Sequence, residues 1–347
     1  MARIAINGFG RIGRLFFRQV FNNLSYAGLD IVAVNDLTDA ENLAYLLAHD
    51  TVYWGYGKKV STGVENGVTY LVVDGKKILL TAEKDPAALP WARLDIDIAV
   101  EATGFFESFA GASSHIKAGA KRVVIAAPAQ EEDGAGGRTV LMGINEQDLK
   151  ICTVSSNASC TTNASSPVAF LMAESIGVKK AILSTVHGYT ATQSLVDGNA
   201  HTKDFRRGRA AASNIVPSTT GAAISVARAV PSLAGKFDGI ALRVPVIAGS
   251  IADFTFIAAR PTTTAEVNAV FTKAAQDERW KGVLGVTAEP LVSSDIVGTP
   301  FGAIVDLSFT KVVDHDLVKV LSWYDNEWGY VSTLVRHVTK VAGLLGT

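Results

Sequence analysis

The sequence predicts a chain in two parts: a doubly wound α/β part with a mostly parallel sheet, then an α+β part with a mostly antiparallel sheet. Three observations carry this. A short apolar run, Arg3 to Asn7, enters Gly8-Phe9-Gly10-Arg11-Ile12-Gly13 and leaves it with helical spacing. Strand-like and helix-like segments then alternate as far as Ser155, as expected of parallel strands joined by crossover helices. Beyond that point apolar runs of strand length crowd together with few helices between them. A length of 347 residues is enough for two cores.

Taken in order, Arg3 to Asn7 is a strand and Arg11 to Asn23 a helix that buries Ile12, Leu15, Phe16 and Gln19 to Phe21. Leu29 to Asn35 is the second strand and ends at Asp36, which completes a βαβ unit. Asp39 to Ala48 has helical spacing. Residues 67–81 hold two strands around Asp74-Gly75, a hairpin signal. Asp97 to Glu101 and Arg122 to Ala126 are apolar strands flanking a helix over Phe109 to Ala118. Gly134-Ala135-Gly136-Gly137 reads as a flexible surface loop. Thr161 to Ile176 is a helix stopped by Gly177. Strands follow at Ala181 to Val186, Gly239 to Val246, Ile251 to Ala259, Gly302 to Phe309 and Leu317 to Trp323. An amphipathic helix spans Glu266 to Gln276, and residues 330–344 form the last one. Thr190 to Ala212 is long, polar and rich in arginine; ordered loops of that length are usually functional.

Composition narrows the function. Hydrophobic residues make up 48% and charged residues 19%, which fits a folded globule. The net charge of −1 gives no electrostatic footprint for nucleic acid. Two cysteines, Cys152 and Cys160, are too few for a disulfide scaffold and point to a reducing compartment, the cytoplasm. The start of the chain lacks the long apolar stretch of a signal peptide, and no segment has the length to span a bilayer as a helix.

The glycine turn has the spacing of a dinucleotide-binding, Rossmann-type cradle. Gly8 permits the tight turn, Gly10 lets a pyrophosphate approach the backbone, and Gly13 lets the helix lie close on the strand. The helix beginning at Arg11 then offers unpaired amides to the anion. Asp36, roughly twenty residues beyond the turn, can accept hydrogen bonds from a ribose and would repel a 2′-phosphate, favouring NAD over NADP. A bare glycine pattern is also an ordinary βα turn. Here the strand before it, the helix after it and the acidic end of the next strand all favour the cofactor.

The second constellation is Ser156-Asn157-Ala158-Ser159-Cys160-Thr161-Thr162-Asn163, with His187 in Thr185-Val186-His187-Gly188-Tyr189-Thr190. Cys160 sits among small polar residues at the start of a helix, a setting that lowers a thiol pKa from roughly 8.5 toward about 3.5–7.5. His187 ends a strand-like run and can take a proton. Cys152, beside Ile151 and Val154, reads as a core thiol. His49, His115, His201, His315 and His337 carry no motif and read as structural or surface residues. No metal-ligand spacing is present.

Several segments resemble phosphorylating glyceraldehyde-3-phosphate dehydrogenase, in family order and from end to end. They are the turn at 6–14, the segment 156–163, His187 with Thr190-Ala191-Thr192-Gln193, Pro217-Ser218-Thr219-Thr220-Gly221-Ala222-Ala223, Arg243-Val244-Pro245, and Trp323-Tyr324-Asp325-Asn326-Glu327-Trp328-Gly329-Tyr330. The resemblance implies a homotetramer with an NAD-binding domain of residues 1–159 and 326–347 and a catalytic domain of 160–325. It implies Cys160 as nucleophile, with His187 lowering its pKa and taking its proton. Gly8, Phe9, Gly10, Arg11, Ile12, Gly13, Asp36, Lys84, Thr103, Asn326 and Tyr330 would contact NAD. Asn326 would fix the nicotinamide carboxamide. Thr190, Arg207 and Arg243 would hold the substrate phosphate; Ser159, Thr161, Thr220 and Gly221 would hold inorganic phosphate. The physical chemistry agrees, since two anions need forked guanidinium groups, hydroxyls and backbone amides. Arg206, Arg207 and Arg209 could equally be a solvated basic loop.

Some positions depart from the family pattern. Lys84 stands where many members have arginine, Ala126 where serine is frequent, and Ala164 where a second cysteine is common. Val246, Ala248 and Gly249 replace a threonine, an asparagine and a valine, and 197–205 is slightly longer. None removes a catalytic residue. The expected reaction is oxidation of D-glyceraldehyde 3-phosphate through a Cys160 thioester, released by inorganic phosphate as 1,3-bisphosphoglycerate. The alternatives are erythrose-4-phosphate dehydrogenase and a cofactor-bound scaffold or nucleic-acid-binding protein.

Overall fold

The computed structural model describes residues 1–21, 23–134, 136–200 and 203–346. Asn22, Ala135 of the glycine loop, His201 and Thr202 of the 197–205 stretch, and Thr347 lie outside the described residues. The chain forms two compact units. One comprises Met1–Val140, Asn145–Ala158 and Leu334–Thr347; the other comprises Leu141–Ile144 and Ser159–Thr333.

The first unit is built on β1 (Ala2–Asn7), β2 (Leu29–Asn35), β3 (Val60–Glu65), β4 (Val68–Val73), β5 (Lys76–Thr81), β6 (Ile98–Glu101), β7 (Arg122–Ile125), β8 (Arg138–Thr139) and β9 (Val154–Ser156). Among the described residues the strand order is β3-β4-β5-β2-β1-β6-β7-β9-β8. Strands β3, β4 and β5 pair antiparallel and the rest pair parallel. The parallel strands read as unbroken apolar runs because both faces are covered; Ile4, Ala5, Ile6, Ile98, Ala99 and Val100 are fully buried. The helices are α1 (Arg11–Val20), α2 (Ala40–Ala48), α3 (Phe109–Ala112) and α4 (Ser114–Lys117). Asp39 caps α2 by accepting from the amides of Glu41 and Asn42.

The second unit holds α5 (Cys160–Ser175), β10 (Val178–Gly188), β11 (Val216–Thr219), α6 (Ala222–Ala229), β12 (Phe237–Val244), β13 (Ser250–Ala258), α7 (Thr264–Ala274), β14 (Leu284–Thr287), α8 (Ser293–Ile296), β15 (Ala303–Val313) and β16 (Leu317–Tyr324). Its strand order is β11-β12-β10-β13-β16-β15-β14 among the described residues. Only the β10–β12 and β14–β15 pairs run parallel there. Strand β13 alternates half-buried and buried residues along its whole length, the signature of a sheet with one covered face. The last helix, α9, is Trp328–Gly343. No helix of the described residues is long and apolar enough to cross a membrane.

The fold class is therefore the expected one, and the differences are local. The first helix stops at Val20 instead of reaching Asn23. The expected helix over 109–118 is two short pieces broken at Ser113. The Ser113 hydroxyl donates to the Phe109 carbonyl (2.7 Å), the back-bonding that disturbs helices. Strands β3, β8, β9, β11 and β14 and helices α6 and α8 were not expected; β3 is a largely exposed edge strand with no apolar alternation.

Candidate active site

In the first unit, β1, β2 and β6 end in register at Asn7, Asn35 and Glu101. Gly8 follows with φ +92°, and a Cβ there would lie 2.6 Å from the Ala102 carbonyl carbon and the Thr103 nitrogen. A Cβ on Gly13 would meet the Gly8 oxygen at 2.1 Å. Gly10 differs: nothing lies within 4 Å of its would-be Cβ, so the chain is open there. Gly10 is also the N-cap of α1 and provides no side-chain cap, and no acidic residue occupies the first turn. A concave, uncapped, positive helix end is what a pyrophosphate requires. Buried Phe9 donates its amide to Asp36 Oδ2 (2.7 Å), and Asp36 Oδ1 accepts from the Thr38 amide (2.9 Å). Asp36 thus steadies the turn with the same carboxylate that sequence reasoning aimed at the ribose. The Arg11 guanidinium is paired with Asp50, so Arg11 presents its backbone rather than its charge. Ile12 is half-buried, and Lys84 is exposed just beyond β5.

A polar network beneath this turn escaped the sequence reading. Glu101 Oε2 accepts from Asn7 Nδ2 (2.6 Å) and contacts His115 Nε2 (2.9 Å). Trp91 Nε1 donates to His115 Nδ1 (2.9 Å), which assigns the histidine proton to Nε2 and makes His115 a donor to Glu101. Glu101 Oε1 accepts from both the amide and the hydroxyl of Thr103. Asn35 Nδ2 donates to Asn7 Oδ1 (2.7 Å), so the buried polar groups satisfy one another.

In the second unit, Ser159 is the N-cap of α5 and accepts from the Thr162 amide (3.0 Å). Cys160 is therefore the first helical residue. It follows buried Ala158, which is held at φ +54°, a left-handed conformation uncommon for alanine. The Cys160 side chain packs against Ala164, Leu183, Ala222, Ala252 and Tyr324. Sγ lies 3.3 Å from His187 Nε2. His187 Nδ1 is 2.6 Å from the Gly188 carbonyl, and Nε2 is the nitrogen that faces the thiol. Tyr324 sets its ring edge toward His187 (5.9 Å between centroids), and its hydroxyl meets Thr185 Oγ1 (2.7 Å) and Thr161 Oγ1 (3.0 Å).

The electrostatics depart from the expected depressed thiol. Burial pushes the Cys160 thiol up, opposed by the Arg243 charge and by hydrogen bonds from Thr161 and the Cys160 amide. Burial also drives His187 down to about 3, and Arg243 adds to that. Arg243 Nη1 stands 2.8 Å from His187 Nδ1, since the two residues pair across β10 and β12. Both shifts favour the neutral thiol and the neutral imidazole.

Around it lie donors suited to anions. Arg207 grips Ser218 Oγ through Nε (3.2 Å) and Nη2 (2.8 Å) and reaches Thr192 Oγ1 through Nη1 (3.3 Å). Thr192 in turn meets Thr190 Oγ1 (2.9 Å). Arg206 and Arg209 instead pair with Asp204 and Asp197 at the surface, so the basic loop divides into one inward and two solvated arginines. Among the described residues, Arg243 Nε and Gln193 Nε2 are buried donors without a partner. Thr220 Oγ1 accepts from the Ala222 amide (3.2 Å), and Gly221 is the uncapped N-cap of α6 with open space at its Cα. The hydroxyls of Ser159 and Thr161 are engaged with Thr162 and Tyr324. Asn326 Oδ1 accepts from Ser250 Oγ (2.9 Å), and Tyr330 is buried in α9. Sequence reasoning missed Tyr324, Ser218, Ser250, Thr192 and Gln193 as working residues. Tyr324, Ser218, Thr192 and Gln193 lie inside motifs that signalled them; Ser250 had no such signal.

Two family models match. "Glyceraldehyde 3-phosphate dehydrogenase, NAD binding domain" covers residues 2–109, and "Glyceraldehyde 3-phosphate dehydrogenase, C-terminal domain" covers 159–326. The chain is 51% identical to the glyceraldehyde-3-phosphate dehydrogenase of Thermotoga maritima over 96% of its length and 97% of the relative. It is 45% identical to glyceraldehyde-3-phosphate dehydrogenase 1 of Bacillus subtilis, covering 98% of each.

Proposed function

The chain belongs to the glyceraldehyde 3-phosphate dehydrogenase family, and we propose that it oxidises D-glyceraldehyde 3-phosphate to 1,3-bisphosphoglycerate with NAD and inorganic phosphate. One observation carries the chemistry: Cys160 Sγ lies 3.3 Å from His187 Nε2.

The chain fits NAD. Gly10 leaves open space, Gly8 and Gly13 fill positions that no Cβ can occupy, and α1 begins uncapped. The turn at 8–13 with Asp36 would hold the dinucleotide, with Lys84 and Thr103 beside it, and Asn326 and Tyr330 would meet the nicotinamide. When bound, NAD supplies the hydride acceptor. The chain's own residues do the rest. Cys160 Sγ adds to the aldehyde carbon, and its proton passes through His187 to the former carbonyl oxygen, giving a hemithioacetal. His187 Nε2 takes that hydroxyl proton back as the C–H bond breaks, leaving a thioester on Cys160. A phosphate oxygen then attacks the thioester carbon; the C–S bond breaks, and sulfur recovers its proton from His187. Splitting the oxidation this way conserves its energy in the acyl-enzyme. The amides of Cys160 and Thr161 and the positive end of α5 favour negative charge on sulfur. Thr190, Arg207 and Arg243 hold the phosphate of the sugar. Thr220 and Gly221, with Ser159 and Thr161, attend the incoming phosphate.

We assign the cofactor to residues 1–159 with 326–347 and the chemistry to 160–325. A homotetramer is supported by exposed Ile182 and Ile240 on neighbouring strands and by exposed Leu195, Val196 and Phe205. A cytoplasmic location is supported by two free thiols.

The test is NADH formation with glyceraldehyde 3-phosphate and NAD, with and without phosphate, for wild type and Cys160→Ser. Phosphate-dependent turnover that vanishes in the variant is expected. Turnover with erythrose 4-phosphate alone would reassign the substrate, and none with either sugar would refute the enzyme reading.

A further inference from the structure

Ser250, the first residue of β13, is almost fully buried and lies between two groups that the reaction uses. Its Oγ accepts from the Gly188 amide (3.1 Å). A serine hydroxyl has one proton, and with Gly188 donating to it that proton goes to Asn326 Oδ1 (2.9 Å). Gly188 is itself tied at both ends, its amide to Ser250 and its carbonyl to His187 Nδ1 (2.6 Å). The chain passes close by Gly188: a Cβ there would sit 2.9 Å from the Val246 oxygen. An unbroken series of hydrogen bonds therefore runs from the Asn326 amide through Ser250 and Gly188 to the catalytic imidazole and on to Cys160.

Two consequences follow from this hydroxyl. Its proton goes to the oxygen end of the Asn326 amide, which favours that orientation of the side chain. It also anchors the peptide that follows His187, next to the Gly188 carbonyl that contacts His187 Nδ1. Resting on the function proposed above, we propose that Ser250 is a positioning residue that sets the nicotinamide anchor Asn326 and the base His187 together.

The experiment uses the full-length protein free of cofactor, with Ser250→Ala, Ser250→Cys, Asn326→Ala and the double variant Ser250→Ala/Asn326→Ala. NAD affinity is measured by calorimetry, and Cys160 reactivity by iodoacetamide alkylation across pH. Ser250→Ala is expected to weaken NAD binding by about tenfold and to slow alkylation by about fivefold, the sizes of a lost buried hydrogen bond. The double variant should bind NAD no more weakly than Asn326→Ala, because the two residues act as one unit. Ser250→Cys, close in size but a poor donor, should repeat the loss and serves if the alanine variant does not fold. A variant with lowered stability but wild-type affinity and alkylation would overturn the proposal, as would losses that add in the double variant. Neither measurement needs turnover, so an inactive wild type would count against the proposed reaction and not against Ser250.

Discussion

Two histidines make each unit sensitive to mild acid, and the size of the effect follows from their surroundings. His187 is held down to about 3 by burial and then Arg243. His337 is held down to about 3 by burial and then Arg122. His337 Nδ1 donates to Asn157 Oδ1 (3.1 Å), and Nε2 accepts from Ser155 Oγ (2.8 Å), so both nitrogens are committed to the neutral ring. An unfolded histidine titrates near 6.5. Above that value neither state binds the proton and these residues contribute nothing to the pH dependence. Below it the unfolded chain gains a proton that the folded chain refuses, so stability falls as the pH drops from about 6.5 toward 3. Between pH 7 and 5.5 the loss is about 1.3 kcal/mol for each histidine. That window lies above the ordinary carboxylate range. Hydrogen exchange, read separately in peptides covering β9 and β10, should show this loss in both units. His337→Gln should flatten the dependence in β9 and leave it in β10. An equal slope at β9 in wild type and variant would refute the reasoning.

Three further outcomes are expected. Arg207→Ala should raise KM for the sugar phosphate by about tenfold or more, while Arg206→Ala and Arg209→Ala, whose pairs are at the surface, change it less than twofold; steady-state kinetics separates them. Tyr324→Phe leaves Thr161 and Thr185 hydroxyls facing an apolar edge and should cost about 1–3 kcal/mol in urea unfolding; an unchanged midpoint would mean that the hydroxyl is dispensable. Gly10→Ala should fold normally yet bind NAD weakly, whereas Gly13→Ala should also lose stability because its Cβ meets the Gly8 oxygen; melting and binding assays together distinguish the two.

The readable parts of this chain were those where one residue type has one physical use. The glycine turn could be read because Gly8 and Gly13 stand where a Cβ has no space. The parallel strands could be read because burial on two faces leaves only apolar residues. Cys160 stood out because small polar neighbours are wrong for a core and right for a helix start. The network of Asn7, Glu101, His115 and Trp91 could not be read: its members are far apart in sequence, and each alone suits a surface. The same holds for Ser250, an unremarkable serine at the head of a strand. The upward push on the thiol could not be read for a related reason, since sequence shows the helix start but not that Cys160 is partly buried beside a buried His187.

Ala164 lies one helical turn after Cys160, fully buried in the cluster against which the nucleophile packs. The chain's other cysteine, Cys152, belongs to the first unit, so no thiol of the second unit can condense with Cys160 if an oxidant converts it to sulfenic acid. Within that unit, rescue of the sulfur falls to thiols from solution. The fate of this protein under peroxide is tied to the thiol pool around it: ample glutathione caps and rescues the sulfur, and a depleted pool lets oxidation run on to the irreversible acids.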